Sequence, residues 1–210
     1  MPHAITLYTN PMSRGQIARW MLEEVGQSYE MVVLDYGEGG MKSADYLAIN
    51  PMGKVPAIVH DGRTITECAA ICAYLADAFP AANLAPPTDQ RADYYRWLFF
   101  AAGPVEAAVT NKALGFTVPE NRERTAGYGT FDHMVDTLER AVSGPAWICG
   151  DQFTAADVYV GAQIDWGLSF GTIPSRPAFE AYASRLRERP AYRRQKDMDN
   201  ALIAQMQKSA

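Results

Sequence analysis

Asn50-Pro-Met-Gly-Lys-Val-Pro-Ala-Ile-Val-His-Asp-Gly-Arg-Thr-Ile-Thr-Glu-Cys-Ala-Ala-Ile-Cys-Ala-Tyr-Leu75 is the stretch that decides the fold. Pro51 and Gly53 mark a loop, and Ala57 to Val59 form a short apolar strand. Asp61-Gly62 is the tight-turn signal of a β-hairpin, which Arg63 to Ile65 complete as the returning strand. Thr66-Glu67 then opens a helix whose apolar face is Ile71, Leu75 and Ala78. Pro56 directly precedes the first strand, where its missing N–H breaks the ladder unless the chain bends sharply. A cis Val55-Pro56 bond supplies that bend, because only X-Pro bonds adopt cis cheaply. The bend turns the Val55 N–H and C=O outward, where an extended peptide can pair with them. The amides of Glu67 and Cys68, at a helix N-terminus, offer a place for a carboxylate. A strand edge beside a helix N-terminus suits a small peptide-like anion.

The surrounding chain supplies a frame for this edge. Ala4 to Tyr8 alternates as a strand, with Ile5 and Leu7 on one face. A turn at Thr9-Asn-Pro-Met-Ser13 leads into a helix with Ile17, Trp20, Met21 and Val25 at helical spacing, which Gly26 ends. Tyr29 to Leu34 reads as a second strand, the glycines from Gly37 to Gly40 as a loop, and Ser43 to Ile49 as a short helix. Strand, helix, strand, helix, strand, strand, helix is the order of a thioredoxin-like α/β domain, here expected over residues 1–79. Pro80, Pro86 and Pro87 without periodicity mark a linker over 80–88.

Residues 89–210 read as helical throughout. Tyr95, Leu98, Phe99 and Ala102 repeat along a long helix from Asp89 to Leu114, which Gly103-Pro104 kinks. Phe131, Met134, Val135, Leu138 and Val142 define the next helix, ended by Gly144-Pro145. In Gly150-Asp-Gln-Phe-Thr-Ala-Ala-Asp157, Thr154 and Asp157 stand at capping-box spacing, which explains the pair better than catalysis does. Arg189-Pro-Ala-Tyr192 opens a last helix.

Composition narrows the partners. The 210 residues are 48% apolar and 20% charged, ordinary for a soluble globular protein. A net charge of −5 argues against nucleic acid, whose phosphates need a basic surface. No basic-then-apolar segment opens the chain and no apolar run is long enough to span a bilayer, so neither export nor membrane insertion is expected. The three cysteines, Cys68, Cys72 and Cys149, cannot all pair internally, and their spacing is not that of a metal site. A reducing cytoplasm is the simplest compartment.

The opening stretch resembles the glutathione-binding segment of the glutathione transferases, N-P-x-G-K/Q-V-P-x-L…L-x-E-S-x-A-I-x-x-Y-L, with Cys68 in place of the usual serine. The Gly150 to Asp157 and Arg189 to Tyr192 segments resemble that family too, so the likeness runs almost the whole chain. It implies a thioredoxin-like domain followed by an all-α domain. It also implies that Val55 pairs through its backbone with the cysteinyl part of glutathione. Glu67 and Cys68 would hold the γ-glutamyl end, and Lys54 the glycyl carboxylate. Glutathione is then the co-substrate, a small apolar electrophile the partner, a homodimer the assembly, and no metal is required. Detoxification by transfer is the implied role, with peroxidase, dehalogenase or isomerase chemistry equally compatible. A non-catalytic interaction module is the alternative from another class.

The thiol sets the catalytic requirement. A free thiol has a pKa of about 8.5, and lowering it by about two needs roughly 2.7 kcal/mol. A helix dipole gives about 0.3–1 kcal/mol and a hydrogen bond to a charged group about 1.5–3, which together suffice. One donor in the turn from Thr9 to Gly15 is therefore needed. Ser13 matches the L-Y-x-x-x-x-S pattern of the serine-type (theta and phi) transferases, and Tyr8 that of the tyrosine-type classes. Ser13 is the preferred donor, Tyr8 the competitor and Asn10 a third. No cysteine occupies this turn, which weighs against dithiol-exchange chemistry. Cys68 is read as filling space while its backbone N–H replaces the serine's.

Overall fold

The computed structural model describes residues 4–209; residues 1–3 and 210, the extreme ends of the expected domains, lie outside it. Four strands form one sheet in the order β2-β1-β3-β4: β1 (Ile5–Thr9), β2 (Glu30–Val33), β3 (Ala57–His60) and β4 (Arg63–Thr66). β1 and β2 run parallel and are joined by α1 (Gly15–Val25), as a parallel pair requires a crossover. Gly26 ends α1 in the left-handed conformation and donates to Leu22 O at 3.1 Å. α2 (Ala44–Ile49) is capped by the Ser43 hydroxyl, which accepts from Tyr46 N.

β3 pairs antiparallel with both β1 and β4. Asp61 and Gly62 both have positive φ, 49° and 78°, which explains the Asp-Gly pair at a two-residue hairpin turn. α3 (Cys68–Ala78) follows directly. Alternation along β1 buries Leu7 and Thr9 on one face and sends Tyr8 to the other. On the second face Tyr8 and Val55 pack against a small cluster of Met41, Tyr46 and Ala57.

The helical part comprises α4 (Ala92–Phe100), a π-helical turn over Ala101–Val105, α5 (Glu106–Ala113), α6 (Phe131–Val142), α7 (Ala155–Phe170), α8 (Pro177–Arg187) and α9 (Pro190–Ser209). The expected kink is the π-turn: Pro104 has no N–H to donate, and a widened turn accommodates its ring. The chain is not helical throughout after residue 88. Residues 115–130 are irregular, with Gly115 and Gly129 at positive φ and Pro119 between them breaking the pattern.

Thr154 and Asp157 form the capping box of α7. The Asp157 carboxylate, fully buried, accepts from Thr154 N at 2.8 Å, Thr154 Oγ1 at 3.1 Å, Ile148 N at 2.7 Å and Tyr182 Oη at 2.6 Å. Burial pushes this carboxyl above its usual range against the pull of those donors. α7 and α8 approach so closely that a Cβ on Gly161 would lie 2.3 Å from Leu186 Cδ1.

By packing, the chain falls into two compact units. One takes the described residues up to Asn83 together with those from Glu188 onward, and the other is Leu84–Arg187. In the first unit α9 lies along α1: Arg19 meets Asp199 at 2.7 Å, both buried, and Arg189 grips Glu24 at 2.6 and 2.7 Å. Among the described residues no helix is long and apolar enough to cross a membrane.

Candidate active site

The loop before β3 is held from behind. Tyr46 Oη and Asn50 Nδ2 both donate to the Lys54 carbonyl, at 2.6 and 2.8 Å. Burial pushes the Tyr46 hydroxyl up to about 12, so it remains a donor at neutral pH. Gly53 is required here: its φ is +57°, and a Cβ would lie 2.6 Å from Lys42 Nζ. Beyond it the Val55–Pro56 bond is cis, as expected. Val55 N–H and C=O make no hydrogen bond among the described residues, so this edge is open.

β3 and β4 connect that edge to a helix N-terminus. Ala57 pairs with Thr66 as the last rung of the hairpin, so the segment entering β3 and the start of α3 leave the sheet at the same end. Glu67, the N-cap of α3, has φ 63° and ψ 119°, a region that costs an L-residue about 1–3 kcal/mol. Its side chain makes no capping hydrogen bond to the helix. Cys68 is buried, and its Sγ donates to Arg14 O at 3.5 Å. That contact joins the start of α3 to the start of α1. Cys72 is enclosed and Cys149 is half-buried; burial pushes both thiols up, Cys149 to about 12, so neither is a thiolate at neutral pH.

The turn entering α1 carries the donor candidates. Asn10 is fully buried; its Nδ2 donates to Leu34 O at 2.9 Å, and its Oδ1 accepts from Met12 N at 2.9 Å. It shapes the turn. Ser13 Oγ accepts from Gly15 N at 3.0 Å and donates to Asn10 O at 2.7 Å. Asn10 O also receives Ser13 N at 3.1 Å, so it keeps a partner if the hydroxyl proton turns away. Thr9 explains Gly15: a Cβ there would fall 1.9 Å from Thr9 Oγ1. Tyr8 projects from the opposite face of the sheet, its ring 5.6 Å from that of Tyr46.

Lys54 extends an exposed side chain from the loop, beside the exposed Lys42, which donates to Met52 O at 3.0 Å. Sequence reasoning missed Lys42. Nothing in its own segment distinguishes it, and only the Gly53 turn brings it to the same loop.

An open strand edge, a helix N-terminus at the same end of the hairpin and a hydroxyl at a second helix start belong to one thioredoxin-like domain. Residues 3–77 match the model of the glutathione S-transferase N-terminal domain, and residues 112–190 that of the C-terminal domain. The chain belongs to the glutathione S-transferase family of enzymes. It is 29% identical to glutathione S-transferase GstA of Escherichia coli, covering 88% of this chain and 93% of that one. It is 28% identical to the disulfide-bond oxidoreductase YfcG of the same species, covering 89% and 92%. A sphingomonad glutathione S-transferase solved in complex with glutathione is 28% identical, covers 93% of this chain and 98% of its own, and superposes with a TM-score of 0.76.

Proposed function

We propose that this chain conjugates glutathione to a small apolar electrophile, with Ser13 stabilising the thiolate. The open Val55 edge, at the end of the hairpin from which α3 starts, carries the reading. Glutathione lies along that edge as an added strand, its cysteinyl N–H and C=O pairing with Val55. Its γ-glutamyl group meets the Glu67 carboxylate and the Cys68 amide, and its glycyl carboxylate meets Lys54, with Lys42 nearby. No metal takes part in this scheme.

The Ser13 hydroxyl is poised for the thiol. Gly15 N–H fixes its oxygen, and its proton can leave Asn10 O without orphaning that carbonyl. The thiol proton passes to solvent, and the sulfur attacks the electrophilic carbon. A C–S bond forms while the leaving group departs with its electron pair. Detoxification in the cytoplasm by a homodimer completes this reading.

Cys68 in place of serine, together with the Ser13 proton resting on Asn10 O, favours the second reading, a non-catalytic interaction module. Titrating the thiolate absorbance of bound glutathione against pH separates the two. In the wild type the bound thiol ionises well below its free value. Ser13→Ala abolishes this and lowers kcat/KM about 10- to 100-fold, while Tyr8→Phe leaves both in place. Loss of ionisation only in Tyr8→Phe would transfer the role to Tyr8. Absence of binding would leave the interaction module standing.

A further inference from the structure

In the helical unit, α8 buries Phe179, Tyr182, Ala183 and Leu186 and turns a neighbouring face towards the end of α6. Ala178, Ala181 and Arg185 share that face at helical spacing and border a cavity of about 380 Å³. Val142 and Ser143, at the end of α6, and Pro145 beyond it complete the wall. The volume falls within the range of small-molecule sites, roughly 300–1,000 Å³. The lining side chains are apolar apart from Arg185 and Ser143.

Arg185 is set apart from the arginines around it. Arg176 meets Asp136 and Glu139 at 2.8 and 2.6 Å, Arg187 meets Asp165 at 2.7 Å, and Arg189 meets Glu24 at 2.6 Å. Among the described residues Arg185 has neither a hydrogen bond nor an ion pair, and its Nε is buried without an acceptor. A buried donor without an acceptor is unfavourable, and a guanidinium brings five donors and no acceptor of its own. The group lies 5.5 Å from the centre of the Tyr182 ring, whose hydroxyl donates to Asp157 at 2.6 Å. The cation is thus positioned by a ring that is itself anchored, and it lacks a counter-charge. The end of α6 acts in the opposite sense. Its last carbonyls carry the negative pole of the helix, which disfavours a bare anion. Ser143 Oγ donates to Glu139 O at 2.6 Å, and among the described residues no backbone N–H of residues 144–146 closes on the carbonyls of Arg140, Ala141 or Val142. The cavity therefore has a cation in one wall, a helix C-terminus in another and apolar carbon between them.

We propose that this cavity is a second small-molecule site, which takes an α-amino acid with an apolar or aromatic side chain. The carboxylate accepts from the Arg185 fork, the ammonium donates to the end of α6, and the side chain lies on Ala178, Ala181 and Pro145. A carboxylate alone meets the negative helix end, and an amine alone leaves Arg185 unpaired. The zwitterion satisfies both. The test uses the full chain, isotopically labelled for NMR, with L-phenylalanine, hydrocinnamate and phenethylamine as probes. L-Phenylalanine should shift amides of residues 142–146 and 178–185 saturably. Hydrocinnamate, which lacks the ammonium, and phenethylamine, which lacks the carboxylate, should each bind about tenfold more weakly or worse. Arg185→Gln should weaken L-phenylalanine about tenfold, as loss of one charge-assisted contact implies. Ala181→Leu, at an exposed position that the core does not use, should block binding by filling the cavity. L-Phenylalanine binding unchanged in either variant, or shifts confined to other residues, would overturn the site. Hydrocinnamate binding as tightly as L-phenylalanine would overturn the role of the helix end and, with it, the amino-acid class.

Discussion

Residue by residue, the candidate site departs from stability rules at Glu67. Glu67 holds a positive φ that its side chain disfavours, at the point where β4 turns directly into α3. Glycine relieves that strain but loses flexibility on folding and removes the carboxylate. Glu67→Gly should therefore raise the glutathione-free melting temperature, corresponding to a gain of about 1 kcal/mol. It should also raise KM for glutathione about tenfold, as loss of one charged contact of about 1.5 kcal/mol implies. Thermal unfolding alongside steady-state kinetics checks both; a fall in stability with KM unchanged would make Glu67 an ordinary cap. Cys68 sits at the other pole: its Sγ donates to a backbone carbonyl, a structural tie that a serine hydroxyl could also make.

The elements show why much of the fold was legible in the sequence and some was not. The Asp61-Gly62 hairpin, the Thr154–Asp157 box and the Gly103-Pro104 kink are local devices, and each is formed where its residues stand. The Val55 edge was legible for the same reason, since Pro56 and the hairpin define it within a dozen residues. Irregular residues 115–130 were not, because a helical pattern was extended across Gly115 and Pro119, which break it. Lys42 was illegible on other grounds: it meets the loop through a contact with Met52, 10 residues away in sequence. The box also carries a prediction of its own. Asp157→Asn keeps the shape but turns an amide N–H₂ towards groups that themselves donate, and each orphaned donor costs about 1–3 kcal/mol. Denaturant unfolding should show a loss of about 2–4 kcal/mol, while the kcat of the folded fraction is unchanged. A loss of kcat with full stability would mean that Asp157 is catalytic.

At the scale of the whole molecule, the first unit is assembled from both ends of the chain. Residues up to Asn83 supply the sheet and α1, but one side of α1 carries Arg19, Trp20, Glu23 and Glu24, each of which also meets a residue on α9 or just before it. Arg19 is the decisive one. Its guanidinium is buried beside Asp199 and also donates to Tyr29 Oη at 3.1 Å. Removing one partner of a buried ion pair strands the other charge and costs about 3–5 kcal/mol. Asp199→Ala should therefore destabilise the first unit by that amount, and a chain ending at Glu188 should lose it altogether. Hydrogen exchange resolves the effect by segment. Amides of β1 and α1 should lose protection in Asp199→Ala and exchange freely in the truncated chain, which should no longer bind glutathione. A synthetic peptide spanning α9, added to the truncated chain, should restore α1 protection, because its contacts run through side chains rather than chain continuity. Full α1 protection in the truncated chain without the peptide would show instead that the sheet, α1 and α3 stand alone and that α9 merely covers them.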